Sequence, residues 1–163
     1  MTETLLNYDA WAHEQVKGHA LNLNEEQFHR DLGDGVGNLV GKLKHLLWAE
    51  EVWMRRVKGD SPDASLSVPD FGNPMALYEH WDASRNGHFA RLRSEIQAHP
   101  GKVISYQTTR GESFEQPLWQ IVMHVVNHGT FHRGQVSSMI RRLTGNPVPL
   151  DMILFHRSRA TAA

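Results

Sequence analysis

Three histidines spaced four residues apart stand in one stretch, His124-Val-Val-Asn-His128-Gly-Thr-Phe-His132-Arg-Gly-Gln135. The stretch lies in a run, Leu118 to Leu143, whose apolar period is that of a helix. On an α-helix a step of four residues advances one turn and about 40° round the axis. His128 and His132 therefore project side by side, a spacing at which two imidazoles can hold one metal ion. Leu118, Ile121, Val125, Val136, Met139, Ile140 and Leu143 form the apolar arc of this helix. His132 falls within it and His128 at its edge, whereas Asn127, Arg133, Gly134, Ser138, Arg141 and Arg142 lie outside. Imidazoles aimed at a core need partners, because an unpaired buried polar group costs about 1–3 kcal/mol. The pair reads equally as half of a metal site or as two core histidines bonded to backbone or water. His124, at the margin of the same face, reads as a rim or supporting residue rather than a ligand. Gln135 lies near His128 and His132 on the wheel. It could bond a ligand imidazole or bound water, or be a half-exposed glutamine.

Composition narrows the chemistry. There is no cysteine among the 163 residues, which excludes disulfides, thiolate ligands and a protein thiol nucleophile. Lys and Arg number 17 against 18 Asp and Glu, for a net charge of −1, so no basic field favours nucleic acid or anionic lipid. The eleven histidines do not form a terminal tag. Met1 to Trp11 has no basic region ahead of an apolar core, and no apolar run approaches the ~20 residues that span a bilayer. The expectation is a soluble, cytoplasmic protein of one domain spanning residues 1–163.

Four long helical patterns must position the histidines. Thr4 to Leu21 carries Leu5, Tyr8, Ala12, Val16 and His19 along one face, with Asp9 beside it, Trp11 at its margin and His13 pointing away. Glu25 to Asp31 is short and polar, and Gly33, Asp34, Gly35 and Gly37 mark a loop. Asn38 to Lys58 is the second helix. Its main arc is Leu39, Leu43, Leu46, Leu47, Glu50, Trp53, Met54 and Val57, with Glu50 a polar intruder that either snorkels or is ion-paired. Gly41, His45, Trp48, Ala49 and Val52 form a second arc on nearly the opposite side. A helix apolar on two sides is buried on two sides, and periodicity does not say which side His45 faces. Those two arcs, with an exposed-looking Trp11, suggest a homodimer. Pro74 to about His99 is the third helix, with Tyr78, Trp81, Phe89, Leu92 and Ile96 inward, His88 bordering that face and His80 further out. Lys102 to Gln116 reads as a small β-hairpin in the long crossover to the histidine helix. Thr144 to Pro149 ends that helix, Leu150 to Phe155 packs back, and Arg157 to Ala163 frays. The fold expected is an all-α four-helix bundle with a β-hairpin between the third and fourth helices.

Several stretches together resemble the DinB-like family of metal-binding four-helix bundles, sometimes grouped with YfiT-like metal hydrolases. They are Asn7-Tyr-Asp-Ala-Trp-Ala12, Lys44-His45-Leu-Leu-Trp-Ala-Glu-Glu-Val-Trp53, the His124–Gln135 motif and Pro147-Val-Pro-Leu-Asp-Met-Ile-Leu-Phe155. The His124–Gln135 motif is the specific one, and Gly59 to Ile104 carries little of the likeness. The resemblance implies a divalent metal held by His45, His128 and His132; His19 and His88 are the rival third ligands should His45 face the other side. It also implies metal-dependent enzymes that use a small cellular thiol, among many relatives without an assigned activity.

Three neutral imidazoles would leave the metal's charge unneutralised and coordination positions open, as in catalytic sites. All-nitrogen ligation suits zinc or nickel, with iron or manganese possible where waters complete an octahedron. The function expected is a metal-dependent enzyme acting on a small molecule, an S-transferase or a hydrolase. The alternative is a noncatalytic metal-binding stress-response protein. The substrate path is expected between the helix ends and the hairpin, with Arg110 at its turn either gripping a carboxylate or solvated. Trp48, Trp53, Trp81 and Trp119 read as packing.

Overall fold

Asparagines start three of the helices. The side chains of Asn24, Asn38 and Asn73 accept hydrogen bonds from the amides of Gln27, Gly41 and Ala76, three residues on. Each satisfies one of the amides that a helix start leaves without a partner. At Asn24 the Gln27 side chain returns the bond to the Asn24 amide at 3.1 Å, completing a capping box. The computed structural model describes residues 2–33 and 35–160. In chain order the elements are α1 (Thr2–Ala20), α2 (Glu25–His29), α3 (Leu39–Val57), α4 (Pro74–Ala98), β1 (Val103–Gln107), β2 (Ser113–Pro117), α5 (Leu118–Thr144) and α6 (Met152–Ala160).

The four long helices α1, α3, α4 and α5 bundle, and α5 packs along both α1 and α3. The two strands pair antiparallel, from Val103 opposite Pro117 to Gln107 opposite Ser113. α5 ends where Gly145 takes a left-handed φ of 88° and donates its amide to the Arg141 carbonyl at 2.8 Å. A side chain there would be strained, so glycine is the natural terminator. Among the described residues no helix is long and apolar enough to cross a membrane.

The apolar core has two halves. One gathers Val16, Phe28, Leu39, Leu43, Leu47, Trp81, Val136 and Met139. The other gathers Leu6, Tyr8, Met54, Phe89, Leu92, Ile121, Val126 and Phe155. At the boundary every long helix contributes a charge: Asp9 from α1, Glu50 from α3, Arg85 from α4 and Arg133 from α5, all buried. Arg85 reaches both Asp9 and Glu50, Arg133 reaches Asp9, and Trp81 Nε1 donates to Glu50 at 3.1 Å.

Four expectations are corrected. His13 does not point away from the core. It is 3% exposed, set edge-on to the Tyr78 and Trp81 rings and bonded to Asp82 at 2.8 Å. Because α4 covers that side, α1 is buried on more than its apolar stripe. Arg133 is 4% exposed rather than outside the core, because the Asp9 carboxylate compensates its charge. Glu25 to Asp31 is not merely polar, since α2 buries Phe28 completely. Arg157 to Ala160 is helical within α6, whose Phe155 docks against Tyr8 and Trp11. Residues 161–163 of the expected frayed tail, and Asp34 of the glycine loop, lie outside the described residues.

The second arc of α3 is covered within the chain. Trp48 Nε1 donates to the Leu66 carbonyl at 2.9 Å, Arg56 Nε donates to the Gln107 carbonyl at 3.1 Å, and β1 lies against α3. Trp11 sits 5.9 Å from both Tyr8 and Phe155.

Candidate metal centre

His45 on α3 and His128 and His132 on α5 come together. One ring nitrogen from each lies within 4.8 Å of the other two, and part of each ring is open to solvent. His45 therefore faces α5, the question its helix could not answer alone. His45 Nε2 and His132 Nε2 are 3.2 Å apart. Two nitrogens at metal–nitrogen bond lengths of ~2.0–2.1 Å on a tetrahedron are about 3.3–3.4 Å apart, so this edge is slightly shorter than that length. The ring centroids of His128 and His132 are 4.4 Å apart and those of His45 and His128 5.3 Å. This donor set fits a metal ion, and the three-histidine group could hold one.

Two features keep the lone pairs available. Gln135 Oε1 lies 2.8 Å from His132 Nδ1. An amide oxygen only accepts, so Nδ1 carries the proton and Nε2 is left bare toward the cluster. Burial, with the neighbouring charges of His132 and His45, lowers His128 to about 4. Burial, then His132 and Lys42, also lowers His45. Both rings are therefore neutral at pH 7, as ligation requires.

His124 stands one turn along α5 but outside the group. Its solvent-exposed ring packs 4.8 Å from Trp53 and 5.8 Å from His128. His19 bonds the Gln15 carbonyl at 2.9 Å, and buried His88 lies 3.6 Å from Glu51, so neither rival joins the cluster. Arg110 is exposed at the hairpin turn. Of the tryptophans, Trp48 packs 6.2 Å from the His45 ring and Trp53 lies beneath Arg56, while Trp119 is largely exposed. A larger groove, of about 720 Å³, lies between α5, Leu5, Tyr8 and Pro147–Met152. Its α5 residues, such as Met123, Thr130 and Gly134, occupy a different face of the helix from the histidines.

The charged layer directly beneath is what sequence reasoning missed as a unit. Asp9 is pushed up by burial, but the guanidinium groups of Arg133 and Arg85 outweigh this and hold it below the ordinary carboxylate range. Burial lifts Glu50 to about 7 against the pull of Arg85. Gly129, between His128 and His132 in the chain, lies hard against this layer. A methyl group there would lie 2.8 Å from the Arg133 guanidinium and 2.9 Å from the Asp9 carboxylate. A signal for the layer existed: Arg85 stands four residues from both Trp81 and Phe89, on the apolar face of α4, and Glu50 interrupts that of α3.

The family model described as DinB family matches residues 1–162. Protein DinB of Bacillus subtilis (strain 168) is 22% identical over 161 residues, covering 93% of this chain and 91% of that protein. The crystal structure of a DinB-like protein from Bacillus cereus ATCC 10987 shares the fold, with a TM-score of 0.65 at 18% identity over 86% of this chain and 90% of that one. With a helical bundle, an inserted hairpin and a match along nearly its whole length, the chain belongs to the DinB family.

Proposed function

We propose that His45, His128 and His132 bind one divalent metal, zinc or nickel, and that the protein is a metal-dependent enzyme acting on a small molecule. The observation that carries this reading is the convergence of three ring nitrogens from two helices, with Gln135 setting the tautomer of His132. A metal held by three neutral imidazoles keeps its positive charge and lowers the pKa of a bound water or thiol. The chain contains no cysteine, so a sulfur nucleophile comes from a small cellular thiol. His45, His128 and His132 face solvent in part, which gives such a molecule access. His124, on the hairpin side of His128 and with its pKa lowered by partial burial and then by Arg56, would receive the proton released.

The noncatalytic metal-binding reading has one observation in its favour. The recess behind His128 holds about 20 Å³, which is too small for a substrate. The two readings are separated by assaying metal-loaded and His132→Ala protein with several thiols and an electrophile such as a haloarene. Thiol transfer only in the loaded protein supports the enzyme; equal rates in both leave the metal-binding protein. A homodimer is retained as a proposal on different residues, Trp119, Met123 and Phe131, which α5 exposes. Sedimentation at micromolar concentration tests it, and a monomer would contradict it.

A further inference from the structure

His132 and His128 differ in what holds the rest of the ring. His132 Nδ1 is fixed by Gln135. His128 has no such side-chain partner among the described residues; instead it forms one wall of a narrow recess of about 20 Å³. Asp9, Glu50 and Arg133 form other walls, together with the apolar Ala49 and Val125. About 10–15 Å³ of this kind of space accepts one water, provided it finds two to four polar partners. The walls supply them. Asp9 and Glu50 are 2% and 8% exposed, and each carboxylate has more acceptor positions than its bonds to Arg85, Arg133 and Trp81 use. Arg133 spends Nη2 on Asp9 and keeps further N–H donors.

We propose that one water in this recess joins the ring nitrogen of His128 that faces away from the cluster to the buried charge layer, making Glu50 and Arg133 positioning residues of the metal centre. The inference rests on His45, His128 and His132 being that centre. The His128 ring N–H donates to the water oxygen, which also accepts an N–H from Arg133, and the water donates to a carboxylate of the layer. The carboxylate charge then reaches the ring through one water. It fixes the tautomer, leaves the other nitrogen bare for the metal and raises its basicity, as a direct carboxylate does for other metal-bound histidines. Gly129 keeps this possible, since a methyl there would displace Arg133 and Asp9 from the recess.

The test uses the full chain loaded with Co(II), whose paramagnetism shifts the exchangeable ring N–H signals of ligand histidines away from the rest of the proton spectrum. In the wild type, ring N–H signals of both His128 and His132 should exchange slowly with solvent. Val125→Ile adds one methylene to the recess wall and changes no charge. It should abolish the protected His128 signal, spare that of His132 and weaken Co(II) binding roughly 10–100-fold. Glu50→Gln keeps the shape and loses the charge, and should weaken binding in the same direction while the protein stays folded by circular dichroism. A fast-exchanging His128 signal in the wild type overturns the relay even if neither variant folds. So does a Val125→Ile protein with unchanged affinity and both signals. Wild-type protein that binds no Co(II) through histidine overturns the metal centre itself, and the relay with it.

Discussion

Two polar clusters lie back to back in this bundle, and α5 supplies both from consecutive residues. His132 faces the surface cluster, whereas Arg133 enters the charged layer between the two halves of the core. The surface cluster is all nitrogen and partly open, with ring nitrogens of three histidines turned toward one point. The buried layer is charged: two carboxylates and two guanidinium groups pair with one another out of solvent, with Arg133 Nε left over. The first holds binding capacity in reserve and contributes little to folding. The second spends most of its capacity internally, so that removing one member strands the others. The difference separates a buried charged layer that ties the four helices together from a half-buried imidazole cluster that could hold a metal ion.

The largest effect should come from breaking the layer at its centre. Arg85→Ala leaves Asp9 and Glu50 facing each other without their shared partner, and a cost of about 3–5 kcal/mol is expected in urea unfolding of metal-free protein. A loss below 1 kcal/mol would mean the layer is not a closed unit. His132→Ala should do the reverse. It should leave the unfolding midpoint of metal-free protein nearly unchanged, while metal content after dialysis drops sharply, by more than the roughly 10–100-fold that a supporting residue costs. Retention of metal would show that the three rings do not act together.

Acid should act on the buried imidazole of His13, as it does on His128 at the surface cluster. Burial among Tyr78, Trp81 and Arg85 lowers His13 to about 4 from its ordinary 6.5, against the pull of Asp82. The unfolded chain therefore takes up that proton first, so stability is full above pH 6.5 and is lost as the pH falls toward 4, by at most roughly 3 kcal/mol. Glu50 runs the other way. Its folded value of about 7 lies above the ordinary 4.5, so its contribution declines as pH rises between them. His13→Asn should flatten the acid limb of a stability-against-pH curve; an unaltered limb would assign it to other groups. The smallest effect is expected at Gln135→Ala. It frees the His132 tautomer and should weaken metal binding about 10–100-fold by titration without affecting the fold.

Much of this was legible in the sequence. Helix starts at Asn38 and Pro74, the stop at Gly145 and the hairpin round Gly111 follow from local chemistry and needed no partner to be read. The pairing of His128 with His132, and the reach of Gln135, follow from helical spacing alone. His45 did not, because both sides of α3 are apolar and only resemblance to relatives selected it. Tertiary structure settled its direction by placing α5 on that side of the helix. The same holds for His13 and Arg133, whose depth depends on groups more than sixty residues away in sequence. Spacing along a helix determines which side chains share a face. What that face meets, and therefore whether a charge or an imidazole upon it is compensated, depends on distant segments and is decided only when the bundle closes.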